Sequence, residues 1–301
     1  MTYPATQPDA GRTGPAALAG RSRRYVGLRR FLDDPLNAIS VGLVALLLLL
    51  AILAPLISPY PPDELMPADQ WHAPSLQHWM GTDEHGRDVL SRVLHGGRVS
   101  LFVGIVTVAL AMAAGVAAGA VAGYRGGFVD EIIMRLMDIL MSIPGVVLAL
   151  AIVGMLGPSL GNLIAALAVY RIAQFARVTR GSVLSVMARD YISACRAVGM
   201  GPGRTMLLHV LPNCIGPIIV LATVLLGNVI LTEATLSFLG MGIQPPQASW
   251  GVMIAGGNEY LMFAPWISVA PGALLMVTMV AFNLLGDGLR DHFDPRSRSV
   301  L

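Results

Sequence analysis

From Val99 to Gly123 the chain runs 25 residues without a charged side chain. A stretch of this kind spans a bilayer, whose hydrocarbon core takes roughly 20 apolar residues of helix. Five further apolar stretches accompany it, and the sequence predicts six spans: Ala38–Ile57, Val99–Gly123, Ile132–Leu156, Leu160–Val178, Cys214–Thr232 and Ala264–Gly286. Composition agrees. Only 13% of residues are charged, about half the share of a soluble domain. The expected fold is an all-α membrane protein. The first span starts behind a long arginine-rich tail and exceeds the usual length of a cleaved signal segment, so it reads as a retained span.

Every one of the 20 basic residues is arginine. Without lysine there is no Schiff-base lysine and no phosphate-binding P-loop. If nucleotide powers this chain, another subunit binds it. The two cysteines, Cys195 and Cys214, form no C-x-x-C pair and read as free thiols.

Arginine placement orients the spans. Six arginines fall in the N-terminal tail, two around Arg125 and Arg135, six from Arg171 to Arg204 and three in the C-terminal tail, which places 17 on alternating segments of one side. The other side has three, Arg87, Arg92 and Arg98, among six acidic residues. The richer side is taken as cytoplasmic, with both termini inside. The chain then divides into a tail 1–37, a first span 38–57, an external loop 58–98, a five-span core 99–286 with a cytoplasmic loop 189–212, and a tail 287–301.

The cytoplasmic stretch "SACRAVGMGPGRTMLLHVLP" (193–212) reads as two short helical pieces around a break. Gly199 offers the left-handed position that ends helices, and Pro202 cannot continue one. Ala194 and Ala197 keep one side thin, as a helix entering a groove requires. On these residues alone, an ordinary loop and a docking element both stand.

The small triplet Ser193-Ala194-Cys195, then Gly199, then Leu211-Pro212 resembles the EAA loop of ABC importer permeases, although Ser193 stands where the family has glutamate. "GTDEHGRDVLSRVLHGGRVSL" from Gly81, "LSFLGMGIQPPQASWG" and "FNLLGDGLRDHFDPR" resemble segments of dipeptide/oligopeptide permease C-type subunits, in the same order. The resemblance covers nearly everything from the first span onward. It implies a permease core with one extra N-terminal span, in the cytoplasmic (inner) membrane of a bacterium. It implies a homologous second permease subunit, two ATPase subunits and an extracytoplasmic substrate-binding protein as partners, and no nucleic acid. It also implies that Ser193, Ala194, Cys195, Arg196, Ala197, Gly199, Met200, Gly201, Leu211 and Pro212 form the ATPase-coupling loop. This chain itself would bind no cofactor, ATP and magnesium being held by the ATPase subunits, and would not be an enzyme. Di- or oligopeptides are the expected cargo. Nickel or another small solute is the alternative within the family. A secondary transporter or channel is the alternative outside it, and an intramembrane enzyme finds no motif.

Other residues carry expectations of their own. Gly115, Gly119 and Gly123 share one helix face, which suits close helix packing or a moving pathway wall. Glu233, at the outer end of the fifth span, is a pathway or gating candidate. Asp83, Arg87 and Asp88 are expected to hold the external loop in shape by ion pairs and turn hydrogen bonds, exposed pairs of this kind being worth about 0–1 kcal/mol each. His72, His78, His85 and His95 in that loop raise a metal site as the lesser alternative. Arg135 and Asp138 are expected to pair at i,i+3. Arg171 is expected to snorkel to the inner interface, with a polar inner cavity as the alternative. Asp287, Asp291 and Asp294 around Arg290 read as turn chemistry. Trp250, Trp266 and Tyr260 read as an interfacial aromatic belt.

Overall fold

The structure, a computed structural model, describes residues 31–293. Asp294 and the tail arginines other than Arg290 lie outside the described residues.

Nine helices of four or more residues carry the described chain. α1 is Pro35–Ile57, α2 Val89–Arg125, α3 Gly127–Ser142, α4 Gly145–Leu156 and α5 Leu160–Met187. α6 is Asp190–Ala197, α7 runs from Pro202 to Phe238, α8 is Trp250–Gly257 and α9 is Trp266–Phe293. Four of them (α1, α2, α7 and α9) are long and apolar enough to cross a membrane alone, and α3 with α4 gives a fifth if the bent pair is one span. α5, the remaining candidate, has the length with 28 residues, but Arg171, Arg177 and Arg180 interrupt its apolar run. The expected six-helix count is therefore approximate.

The third expected span differs in shape. Ile132–Leu156 is two helices meeting at 87°. Ile143 is extended (ψ 131°) because the ring of Pro144 disfavours helical backbone in the residue before it.

α2 and α5 form the central packing pair, and α7 lies against both. Their contact is a stripe of small residues. A Cβ on Gly115 would meet Ile172 O at 2.6 Å, one on Gly119 would meet Thr179 Cβ at 2.9 Å, and one on Gly123 would meet Val183 at 2.9 Å. With no driving force between apolar helices in lipid, such close backbone approach supplies dispersion contact instead. This is the packing role of the three glycines, which face α5 and line no open surface of the chain. The buried cluster around Phe175, Leu163 and Val103 continues the seam.

α9 closes the bundle against α1 and α7. Its Gly286-Asp287-Gly288 lies inside the helix, which continues to Phe293, so the expected turn there is not found. The glycines serve contact: a Cβ on Gly286 would meet Val224 at 2.7 Å, and one on Gly288 would overlap the Asn37 side chain.

Candidate functional site

The segment 189–212 forms one short helix followed by the first turns of α7, in place of two separate short pieces. α6 ends in a complete Schellman motif. Gly199 has φ +77°, its N–H donates to Arg196 O (3.0 Å), and Met200 N–H donates to Cys195 O (3.0 Å). Pro202 opens α7, where a missing N–H costs nothing. Met206–Val210 then widens into a π turn, with Leu211 N–H reaching Met206 O. Pro212 accounts for the widening, because it has no N–H for Leu208 O and its ring would strike that carbonyl in a regular turn.

The result is a rigid element with a buried underside. Ile192, Thr205 and Val210 are buried, whereas Ser193, Ala194, Arg196, Ala197, Gly199 and Gly201 are exposed, with Cys195 and Met200 half-buried. Val198, 80% exposed, is the apolar tip. Leu211 is half-buried and Pro212 exposed at the base of the long helix.

At the opposite end of α7, Glu233 is fully buried and collects three hydroxyls. Ser100 of α2 donates to Oε2 (3.1 Å), and Ser237 (2.8 Å) and Ser249 (3.1 Å) donate to Oε1. Ser249 is also the N-cap of α8, accepting from Val252 N–H (3.2 Å). Trp250 N–H reaches Ser100 Oγ (3.3 Å). Glu233 thus ties α2, α7 and α8 together and is not displayed on a surface. Trp250 belongs to this joint and not to an interfacial belt. It is buried, donates from its indole to Val93 O (3.0 Å), and packs on Gly97, where a Cβ would sit 2.7 Å from its ring. Trp266 likewise points inward and donates to Thr82 O (3.1 Å).

The loop before α2 is held by the ion pair and turn hydrogen bonds expected of it, but its charges are buried and not exposed. Asp83, Arg87 and Asp88 are all buried. Asp83 Oδ1 accepts from the backbone N–H of His85 and Arg87 (2.9 Å each), and Oδ2 accepts from Arg87 Nε (2.6 Å). Asp88 caps α2 through Ser91 N–H (2.8 Å) and holds His78 (2.9 Å). The four histidines do not converge: His72 turns to Ala73 O, His85 to Glu84 and His95 to Ser91 O. Asp83, Glu84 and His85 do lie together. Arg87 bonds both carboxylates, Nε on Asp83 and Nη2 on Glu84 at 2.9 Å. Beside this loop a cavity of about 560 Å³ opens between Asp83, Arg92, Gln244, Pro246 and Met253.

Two arginines that the sequence placed on the inner side clamp α5 to α3. Arg177 bonds Asp138 (2.5 Å), which replaces the expected Arg135–Asp138 pair, and Arg180 holds Asp130 through two bonds (2.5 Å each). Arg171 departs from expectation further. It does not snorkel along α5 but crosses to α7, with Nη2 3.5 Å from Thr232 Oγ1 and Nη1 on Gln174 Oε1 (3.2 Å).

A bundle with four helices long and apolar enough to cross a membrane, and up to five with the bent pair, defines a class: multi-pass helical membrane proteins. The comparisons narrow it. Residues 115–299 match the family described as binding-protein-dependent transport system inner membrane component. Residues 24–75 match the N-terminal transmembrane domain of oligopeptide transport permease C. The chain belongs to the binding-protein-dependent transport system inner membrane component family, and is a multi-pass inner-membrane permease subunit of an ABC transporter. It is 41% identical over 261 residues to a dipeptide transport system permease protein of Alkalihalophilus pseudofirmus, covering 86% of each chain. It is equally identical over 267 residues to a di/tripeptide transport system permease protein of Pseudomonas aeruginosa (86% of this chain, 88% of that one). A glutathione transport system permease protein of Escherichia coli is 41% identical over 269 residues, 89% of each chain.

Proposed function

We propose that this chain is one of two membrane subunits of an ATP-driven peptide importer and that α6 is the piece its ATPase partner grips. The carrying observation is the Schellman-capped helix Asp190–Ala197, exposed on its outer face, anchored by buried Ile192 and joined through the four residues 198–201 to a 37-residue helix that opens at Pro202. An eight-residue helix is marginal alone in water. Here its cap and anchor hold it, so a push on Val198 is transmitted to α7. In this reading a second, homologous permease encloses the passage and two ATPase subunits bind ATP and magnesium. A binding protein delivers cargo from outside, and nucleotide-driven closure switches the bundle between inward- and outward-facing states. The chain itself is non-catalytic, with both termini cytoplasmic. Di- and oligopeptides, glutathione among them, are the cargo class supported by the similarity to peptide permeases.

Val198→Asp tests the grip. A carboxylate at the apolar tip is expected to remove the ATPase subunit from the purified complex and to lower ATP-dependent uptake tenfold or more, with membrane content unchanged. Co-purification and uptake at the original level would sink the assignment. For cargo, dialanine delivered with the binding protein is expected to stimulate ATP hydrolysis. Stimulation by nickel with peptides inert would replace the peptide reading.

A further inference from the structure

Arg171 stands near the midpoint of α5. At 1.5 Å per residue the helix is about 42 Å long, and Arg171 lies about 4 Å from its centre. With α5 taken as one of six spans, as the sequence expects, a charge at that position does not face lipid. Arginine at the centre of a spanning helix is costly, and such residues face a bundle interior or a watery passage. Yet Arg171 is only half-buried within this chain, and no carboxylate among the described residues pairs with it. Its partners are neutral: Gln174 Oε1 (3.2 Å), Thr232 Oγ1 (3.5 Å) and the Tyr170 ring, 5.3 Å from Cζ. A guanidinium has five N–H donors in a fork shaped for carboxylate, and these contacts occupy two of its nitrogens.

The surroundings continue the polarity. On α7, Asn228, Thr232 and Thr235 recur at three- and four-residue spacing on one half-buried to exposed stripe, adjoining Arg171 at Thr232. The contrast is α1, whose exposed Leu46, Leu49, Ile52 and Leu56 present hydrocarbon alone, as a lipid face must.

We propose that this polar face of α5 and α7 lines the passage and that Arg171 receives the carboxylate of the cargo in transit, through a paired N–H···O contact beside Thr232. The inference rests on the peptide-importer reading, since a free peptide carries one such carboxylate at its C-terminus. The neutral side chains around Arg171 would let the peptide chain pass. A single unpaired cation gives it one stopping point, held firmly enough for recognition and weakly enough for release once the bundle rocks.

The test uses the assembled transporter in proteoliposomes, with Cys195→Ser and Cys214→Ser as background. Arg171→Cys is expected to react with a membrane-impermeant sulfonate thiol reagent in at least one nucleotide state, with trialanine slowing the reaction. In the otherwise unaltered protein, Arg171→Gln is expected to assemble with its partners and to lower trialanine uptake tenfold or more, with Arg171→Lys restoring part of it. Trialanine amide, which lacks the carboxylate, is expected to lose its difference between wild type and Arg171→Gln. No labelling in any state, or uptake unchanged in Arg171→Gln, overturns the proposal. So does failure of Arg171→Gln to assemble, which would assign Arg171 to an acidic residue of the second permease. If wild type imports neither peptide, the cargo reading fails instead, and the labelling still decides whether Arg171 lines an aqueous passage.

Discussion

Single residues here do work that their chemical type does not announce. Glu233 looks like a functional carboxylate at membrane depth, but its two oxygens serve three serines on three segments. Glu233→Leu would leave those hydroxyls without their acceptor, at about 1–3 kcal/mol for each buried group left unsatisfied. The expected outcome is a large loss of thermal stability in detergent, with Glu233→Gln milder because its amide oxygen still accepts. Equal melting temperatures for all three would remove Glu233 from the joint. Gly199 makes the complementary case. Nothing lies within 4 Å of a Cβ added there, so a substitution costs backbone energy alone, about 1–2 kcal/mol for a side chain in the left-handed region. Uptake is expected to fall in the order Gly, Asn, Ala, Val, since Asn visits that region most readily. If Asn were as damaging as Val, the conformation would not be the cause. Gly199 was legible in the sequence because a helix stop is local. The burial of Glu233 was not, because Ser100 lies 133 residues away and no periodicity reports it.

Elements show where hydropathy misleads. An apolar window averages over direction, so Ile132–Leu156 scored as one span while Pro144 folded it through 87°. That proline was the available signal. The α3–α5 clamp had a weaker one, namely acids at 130 and 138 facing arginines at 177 and 180 across a helix break. Its two pairs differ in quality. Asp138–Arg177 is a single contact with both side chains about half exposed, whereas Asp130 sits 16% exposed in a bidentate grip by Arg180. Exposed pairs measure about 0.2–1 kcal/mol, and bidentate geometry is what lifts a pair to the upper part of that range. Double-mutant cycles on unfolding in detergent are therefore expected to give the larger coupling for Asp130/Arg180. The reverse order would show that the clamp works through Arg177. The depth of Arg171 was also hidden from the sequence. Its count with Arg177 and Arg180 placed it inside, but its side chain turns toward Thr232, at the far end of α7.

For the whole molecule, that relocation touches the orientation argument. Without Arg171 the richer side still has 16 arginines against three, so the proposal that both termini face inward keeps its basis. The buried condition of Arg87 and Arg92 strengthens the inference, since two of the three outer arginines are committed to Asp83 and Asp63 within the loop. The chain carries its own probe of this topology. Cys195 is partly accessible on α6, while Cys214 is fully buried at the base of α7. A membrane-impermeant maleimide is expected to label the unmodified permease in inverted vesicles and not in right-side-out ones. Leu76→Cys, at a position 96% exposed in the loop between α1 and α2, should label in the opposite sense in a Cys195→Ser background. If Cys195 reacted from outside, the gripping helix would face the binding protein. The arginine asymmetry and the ATPase-docking role would then fail together, because both require α6 on the cytoplasmic side, where ATP is available.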